Sequence, residues 1–169
     1  MKKIIKIMKG LILSVLLLAA IAACSSPGNK ERENISIVER YIEAVENLNY
    51  QEMSSLLSED YMGFGPNYGD SVTREAAVEN WKYVAEDVYD SINYRKSNNI
   101  AMTVVSGNAR GDWVSNWSEL YIRFQSGMEV MLWTNSVYKI EDGKIARSLT
   151  FYNEMDALRQ LGYRITSGQ

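Results

Sequence analysis

The chain has 169 residues, a formal net charge of −3 and no histidine, and its only cysteine is Cys24. Without histidine, Ser–His–Asp and Cys–His nucleophilic sites and His-ligated metal sites are excluded. The sequence has no acidic loop of calcium-binding spacing and no glycine-rich phosphate-binding motif, so we expect neither a metal nor a cofactor.

The first 23 residues have the pattern of an export signal. Four lysines precede the apolar run LILSVLLLAAIAA, which is short for a membrane span. The run ends in IAAC, which resembles the bacterial lipobox, where the cysteine is lipidated and becomes the mature N-terminus. We therefore expect a lipoprotein of the bacterial cell envelope, attached to a membrane (outer membrane or periplasmic face) by acyl chains on Cys24. The alternative is an ordinary signal peptide with an incidental cysteine.

Residues 24–34 include the polar stretch SSPGNKEREN, which predicts a flexible tether, and residues 35–169 are enough for one folded domain. After loss of residues 1–23 the chain keeps 14 basic and 21 acidic residues, a net charge of −7. So acidic a chain is a poor partner for nucleic acid. A lone cysteine allows no intramolecular disulfide, so the domain must be stabilised by packing.

The first half of the domain is predicted to be mainly helical. An amphipathic helix spans Ile35–Leu48, a short helix lies in YQEMSSLLSED, and YMGFGPNYG forms a short strand that enters a loop at Gly65–Pro66. Thr73 is expected to N-cap a long helix that continues to about Asp90. The residues predicted to be buried on that helix are Ala77, Trp81, Val84, Ala85 and Val88.

The second half is predicted to be β. INYRKSNNIAMTVVSG, DWVSNWSELYIRFQSG, MEVMLWTNSVYKIEDG and KIARSLTFYN are rich in β-formers and are separated by glycine-bearing turns. Helices followed by an antiparallel meander predict an α+β fold, with the sheet packed over the helices.

Several segments together resemble the nuclear transport factor two-like superfamily, and most closely its SnoaL-like and ketosteroid-isomerase-like branch. They are IVERYIEAVENLNYQEMSSLLSEDY, TREAAVENW, VYKIEDGKI and ALRQLG, in this order, and the resemblance covers nearly all of residues 35–163. It implies a cone, or cystatin-like roll: a strongly curved antiparallel sheet wrapped around N-terminal helices, with a pocket between them. Because members include enzymes, binding domains and scaffolds, function has to be argued from the pocket residues.

The resemblance also implies where catalytic groups would lie. Tyr41, which follows an arginine, matches the tyrosine that donates to the oxyanion in ketosteroid isomerases. Gly65 and Ser136 stand where those enzymes have their two aspartates. Ser148 and Asn153 stand where SnoaL-like members commonly have a histidine and an acidic residue. A serine or an amide cannot exchange protons near neutral pH, so these templates lack their titrating groups.

Aromatic residues carry the remaining functional signal. The residues expected to form an aromatic-lined ligand pocket are Tyr41, Phe64, Trp81, Trp117, Tyr121, Ser136, Tyr152 and Asn153. Alternation places Trp113, Trp117 and Tyr121 on one face of their strand, and Trp133 on the face opposite to Ser136, at an oligomer contact. The alternative for each aromatic is an ordinary core residue or a sheet face used for dimerisation.

Glu119 is the only replacement acid that the sequence offers. It shares the parity of Trp117 and Tyr121, as does Arg123, so the pair would lie in the cavity if those aromatics face inward. The alternative is a solvated or cross-strand pair at the rim of the sheet. Tyr41 has an alternative too, as a packing residue between helix and sheet.

These observations favour a lipid-anchored domain that binds a small apolar or aromatic molecule, or a partner protein, without catalysis. A homodimer through the outer sheet face is compatible with this function. The alternative is an isomerase, cyclase or dehydratase that uses Tyr41 with Glu119.

Overall fold

The computed structural model describes residues 27–164. Its chain contacts divide into two units, Met1–Arg32 and Glu33–Gln169, and of the first unit only residues 27–32 are described. The predicted signal segment and Cys24 lie outside the described residues. Within residues 27–164, no helix is long and apolar enough to cross a membrane.

Within residues 27–164, four α-helices and six strands follow one another in the order expected for an α+β fold. The helices are α1 (Pro27–Glu46), α2 (Tyr50–Leu56), α3 (Arg74–Tyr83) and α4 (Glu154–Gln160), and a π-helical turn, Val84–Val88, follows α3. The strands are β1 (Leu57–Phe64), β2 (Ser71–Thr73), β3 (Tyr89–Val104), β4 (Gly111–Phe124), β5 (Glu129–Glu141) and β6 (Lys144–Tyr152).

The six strands form a single curved, open sheet in the order β2-β1-β6-β5-β4-β3. The meander from β3 to β6 is antiparallel, as predicted, and β5 turns into β6 at Asp142 and Gly143, which have φ values of 48° and 74°. Positive φ at both central residues is typical of a two-residue hairpin turn of type I′. The expected cone fold is therefore confirmed, with one addition: β1 pairs with β6 in parallel.

The core lies between α1 and the inner face of the sheet. Val38, Ile42 and Val45 recur at helical spacing on α1 and are buried against strand residues that include Ile140 and Ile145. Burying each such side chain contributes roughly 1.5–3 kcal/mol. The apolar stripe that predicted this helix is thus the stripe that faces the sheet.

Two predicted element boundaries are wrong. The first helix begins at Pro27 rather than Ile35, so residues 27–34 of the expected tether are helical. Proline is favourable at the first helical position, and the Lys, Glu and Arg residues that follow are good helix formers. The second helix ends at Leu56, and Leu57 already belongs to β1, where it pairs with Ile145.

The third helix begins as predicted but ends earlier than expected: α3 ends at Tyr83, the π-helical turn ends at Val88, and Asp90 already belongs to β3. The Thr73 side chain accepts a hydrogen bond from the backbone N–H of Ala76. Ala77 is buried, but Trp81, which lines a cavity, is only partly buried. Val84, Ala85 and Val88, which belong to the π-helical turn, are also only partly buried.

Candidate ligand-binding site

A cavity of about 720 Å³ opens between the helices and the inner face of the sheet. Its wall is built from α1, α3 and α4 together with the inward-facing residues of β1 and β3–β6. The volume is in the range of sites that hold drug-sized molecules. The cavity is therefore the candidate functional site within the described residues.

Five of the eight predicted pocket residues line this cavity. They are Tyr41, Phe64, Trp81, Ser136 and Tyr152. Tyr41 also packs edge-on against Tyr138, with ring centroids 5.8 Å apart, so it serves both as a helix-to-sheet packing residue and as part of the cavity wall. That these five residues contact a ligand stays a prediction.

Trp117 and Tyr121 do not line the cavity, and the expectation that they face inward is wrong. On β4 the even-numbered residues Leu120, Ile122 and Phe124 face the cavity, so the odd-numbered ones face outward. Trp117 is 39% exposed, and the Tyr121 ring is covered by the guanidinium of Arg95, 4.3 Å from its centroid.

The other two tryptophans of the sheet also lie outside the cavity. Trp113 shares the parity of Trp117 and is buried, and its indole N–H donates to the carbonyl of Ala109. Trp133 is on the outer face of β5, as predicted, and is 67% exposed.

Asn153 caps α4 rather than lining the cavity. Its side-chain oxygen accepts a hydrogen bond from the backbone N–H of Asp156 at 3.1 Å, and the side chain is exposed. An asparagine in this role satisfies a free N–H at the helix start. The position after the last strand is thus explained by helix capping.

Glu119 is not in the cavity. It lies on the outer face of β4, and its carboxylate is 2.5 Å from the ammonium of Lys96. Arg123, the predicted partner, is instead near Asp90 and Glu129. The acid that a Tyr41–Glu119 mechanism requires is therefore absent from the site. The predicted Glu119–Arg123 pair does not form, and Glu119 instead makes an ion pair with Lys96 on the outer face.

Gly65 lines the cavity where the resemblance places an aspartate, and its backbone excludes one. Its φ is +96°, and a Cβ at this position would lie 2.3 Å from the carbonyl oxygen of Thr150. Both the left-handed backbone and this close approach require glycine. An aspartate at this position would require the backbone at residue 65 and the Thr150 carbonyl on β6 to move apart.

Neutral hydroxyl groups occupy the inner wall. Tyr61 and Ser148 share a hydrogen bond of 2.6 Å, and Ser136 and Thr150 share one of 3.0 Å. Ser136 and Ser148, where the resemblance places titrating groups, thus belong to pairs of hydroxyl groups that hydrogen-bond each other.

The buried phenols of the wall remain protonated at neutral pH. Burial raises the pKa of Tyr41 and Tyr94 well above the ordinary value and raises that of Tyr138 to about 12. The Trp81 indole acts to lower the pKa of Tyr41, but burial has the larger effect, so the pKa of Tyr41 is raised. These groups can donate hydrogen bonds to a ligand, but they cannot act as bases near neutral pH.

The sequence interpretation missed Tyr61, Tyr94 and Tyr138. Tyr138 could have been found, because it has the same parity on its strand as Ser136, which was placed inside correctly. Tyr94 could also have been found, because it has the same parity on β3 as the buried Ile92. Tyr61 carried no such signal, since the orientation of β1 depends on its pairing with the distant β6. Among the described residues, no group of three or more acidic, histidine or cysteine residues could hold a metal ion.

A family profile described as the SnoaL-like domain matches residues 38–148. Comparison with curated protein sequences gives no match. Among solved structures, a candidate polyketide cyclase of Xanthomonas campestris pv. campestris is similar at a TM-score of 0.64 and 18% identity, over 78% of this chain and 98% of that one.

Two further structures are similar over most of both chains. An LEH-like epoxide hydrolase of M. tuberculosis has a TM-score of 0.57 and 14% identity, over 78% of this chain and 91% of that one. A candidate ketosteroid isomerase of Kribbella flavida has a TM-score of 0.53 and 16% identity, over 82% and 85%. At these identities the likeness establishes the fold alone.

Proposed function

The chain belongs to the SnoaL-like domain family, and from that membership together with its cavity we propose that it binds a small apolar or aromatic molecule without transforming it. One observation carries the proposal: the interior of the cavity is lined by aromatic, aliphatic and hydroxyl groups, with carboxylates only at its exposed rim. Acid–base catalysis needs a group that titrates near the working pH beside the reacting atom.

The family's enzymes supply the second candidate, an isomerase, cyclase or dehydratase. Similar structures are described as a cyclase, a hydrolase and an isomerase, which favours this reading. However, Glu119 lies outside the cavity and Gly65 cannot carry a side chain. Binding is therefore the function better supported by the residues of the site.

A binding test can use Nile red, an uncharged apolar dye, with two tryptophan substitutions on adjacent residues of β5. Leu132 faces the cavity and Met131 faces outward. We expect Leu132→Trp to fill the site and weaken dye binding by at least about tenfold, because added volume competes directly with the ligand. Met131→Trp should change the affinity for the dye by less than about twofold. Equal binding by wild type and Leu132→Trp would move the site out of the cavity.

We also propose that the protein is an envelope lipoprotein anchored through Cys24. The support is the basic and apolar N-terminal sequence that ends in IAAC. In cells that process lipoproteins, the wild-type protein is expected in the detergent phase of a Triton X-114 partition and Cys24→Ala in the aqueous phase. If both forms partition alike, the acyl anchor is ruled out.

A homodimer through the outer face of β4–β6 is the third part of the proposal. Trp117, Met131, Trp133 and Phe151 are exposed there, and their strands pair directly. Exposed aromatic clusters are typical of protein interfaces. Trp133→Asp should weaken self-association by at least about tenfold in sedimentation experiments. Val105→Asp, at an exposed turn, is the control. A monomeric wild type would contradict the dimer.

A further inference from the structure

The charged groups of the cavity are all of one sign. Among the residues that line it, only Asp70 and Glu154 carry a charged side chain, and both are exposed at the rim. They come from separate elements, the loop between β1 and β2 and the first residue of α4. Both carboxylates act on the same part of the wall, because each contributes to raising the pKa of Tyr152 after the larger effect of burial.

The aromatic wall has the same electrostatic preference. Trp81, Tyr89 and Phe124 line the cavity together with the buried tyrosines. The faces of aromatic rings carry partial negative charge and attract organic cations. No lysine or arginine is among the lining residues of the described chain, although the guanidinium of Arg147, which is not one of them, lies 5.3 Å from the ring centroid of Phe64. An anionic ligand would therefore meet two like charges at the rim and no cation inside.

Thr134 provides an independent sign of a ligand. It lies on the inward-facing side of β5, lines the cavity and is only 6% exposed. Its neighbours in the wall, Ser136 and Thr150, hydrogen-bond each other, whereas its own hydroxyl has no hydrogen-bond partner in the described part of the chain. Because Thr134 is not among the fully buried side-chain atoms that lack a partner, its hydroxyl is accessible from the cavity, where it can pair with water or with a polar atom of a bound molecule.

We propose that the molecule bound in this cavity is an organic cation: an aromatic or apolar body that packs against the ring-lined wall and pairs with Thr134, bearing one protonated amine that lies between Asp70 and Glu154 at the rim. This inference rests on the proposed binding function and specifies its ligand class. It excludes carboxylate-bearing ligands, which would place an anion beside two others.

Three matched probes test the charge preference: naphthylmethylamine, naphthylmethanol and naphthoate, measured by displacement of Nile red. We expect the amine to bind about tenfold more tightly than the alcohol at low salt, and naphthoate to bind most weakly. In about 1 M salt the preference for the amine should fall to within about threefold, because exposed charges are strongly screened.

The double variant Asp70→Asn, Glu154→Gln identifies the source of the preference. In the double variant, the affinity for the amine should fall to within about twofold of the affinity for the alcohol, and the affinity for the alcohol should stay as in the wild type. The control pair, Glu141→Gln with Asp142→Asn, lies at the exposed β5–β6 turn away from the cavity lining and should leave the preference intact.

The outcomes separate the two proposals. If neither Nile red nor any naphthalene probe binds, the binding function itself fails. If the wild type binds the alcohol as tightly as the amine, or if the double variant keeps the tenfold preference, the cation inference is overturned while the binding function stands.

Discussion

The protein is expected to lose stability steeply above about pH 10, because its buried tyrosines stay protonated in the folded state. Burial raises the pKa of Tyr41, Tyr94 and Tyr138, the last to about 12. In the unfolded chain these phenols ionise near 10. Above that pH the unfolded state binds fewer protons than the folded state, so the free energy of unfolding falls as pH rises.

The size of the effect follows from Tyr138 alone. Its contribution is fully present below about pH 10 and is lost as the pH rises towards 12, which amounts to roughly 2–3 kcal/mol. Tyr41 and Tyr94 act in the same direction. Urea midpoints measured by tryptophan fluorescence between about pH 8 and pH 11 should therefore decrease continuously above pH 10.

Two phenylalanine substitutions make this prediction specific. Tyr138→Phe removes the phenol hydroxyl, which should cost at most about 1 kcal/mol at neutral pH, but it should flatten the loss of stability at alkaline pH. Tyr68→Phe, at a fully exposed position, should leave the alkaline slope as in the wild type. A wild-type urea midpoint that is constant up to about pH 11 would contradict the protonated state of the wall.

The elements that local patterns predicted correctly are those with strong local signals. The apolar stripe of α1, the Thr73 cap and the Asp-Gly turn between β5 and β6 each depend on residues close in sequence. The parallel β1–β6 pair joins residues more than eighty positions apart, and no local pattern encodes it. Leu57 shows the consequence: an apolar residue there fits a buried position in a helix as well as in a strand, so the sequence could not indicate that it is buried in β1.

The site shows the limit of alternation more clearly. Alternation divides β4 into two faces correctly, but it does not say which face is inside. The outer face carries Trp113, Trp117 and Tyr121, so it is the more aromatic one, whereas the inner face contains Asn116 and Ser118. Both polar residues are 0% exposed. Because Asn116 and Ser118 are buried and hydrogen-bonded to each other, the polar side of β4 is the inner one, and the sequence interpretation predicted the opposite.

Asn116 is the residue that made the inner face look polar, and its removal is expected to be costly. Its amide nitrogen donates to Ser97 Oγ at 2.7 Å, Asn99 Oδ1 at 2.9 Å and the Asn98 carbonyl at 3.3 Å, and its oxygen accepts from Ser118. A buried amide removed from such a network typically costs about 2–4 kcal/mol, because its former partners lose their hydrogen bonds.

The network also holds an irregular part of β3. The register between β3 and β4 shifts between Arg95 and Asn98, and Lys96 has a φ of 51°. Asn116 bonds to residues at and just beyond this bulge. Asn116→Ala should therefore lower the urea midpoint and also speed amide hydrogen exchange at the bulge more than elsewhere in the sheet.

The control is Asn93→Ala, an exposed asparagine on the same strand β3, which should change stability by less than about 0.5 kcal/mol. Asn116→Leu separates volume from hydrogen bonding, because it fills the space but makes none of the bonds. If Asn116→Leu is as stable as the wild type, packing rather than the amide network determines this part of the sheet. If exchange at the bulge is unchanged in Asn116→Ala, the network does not hold the bulge.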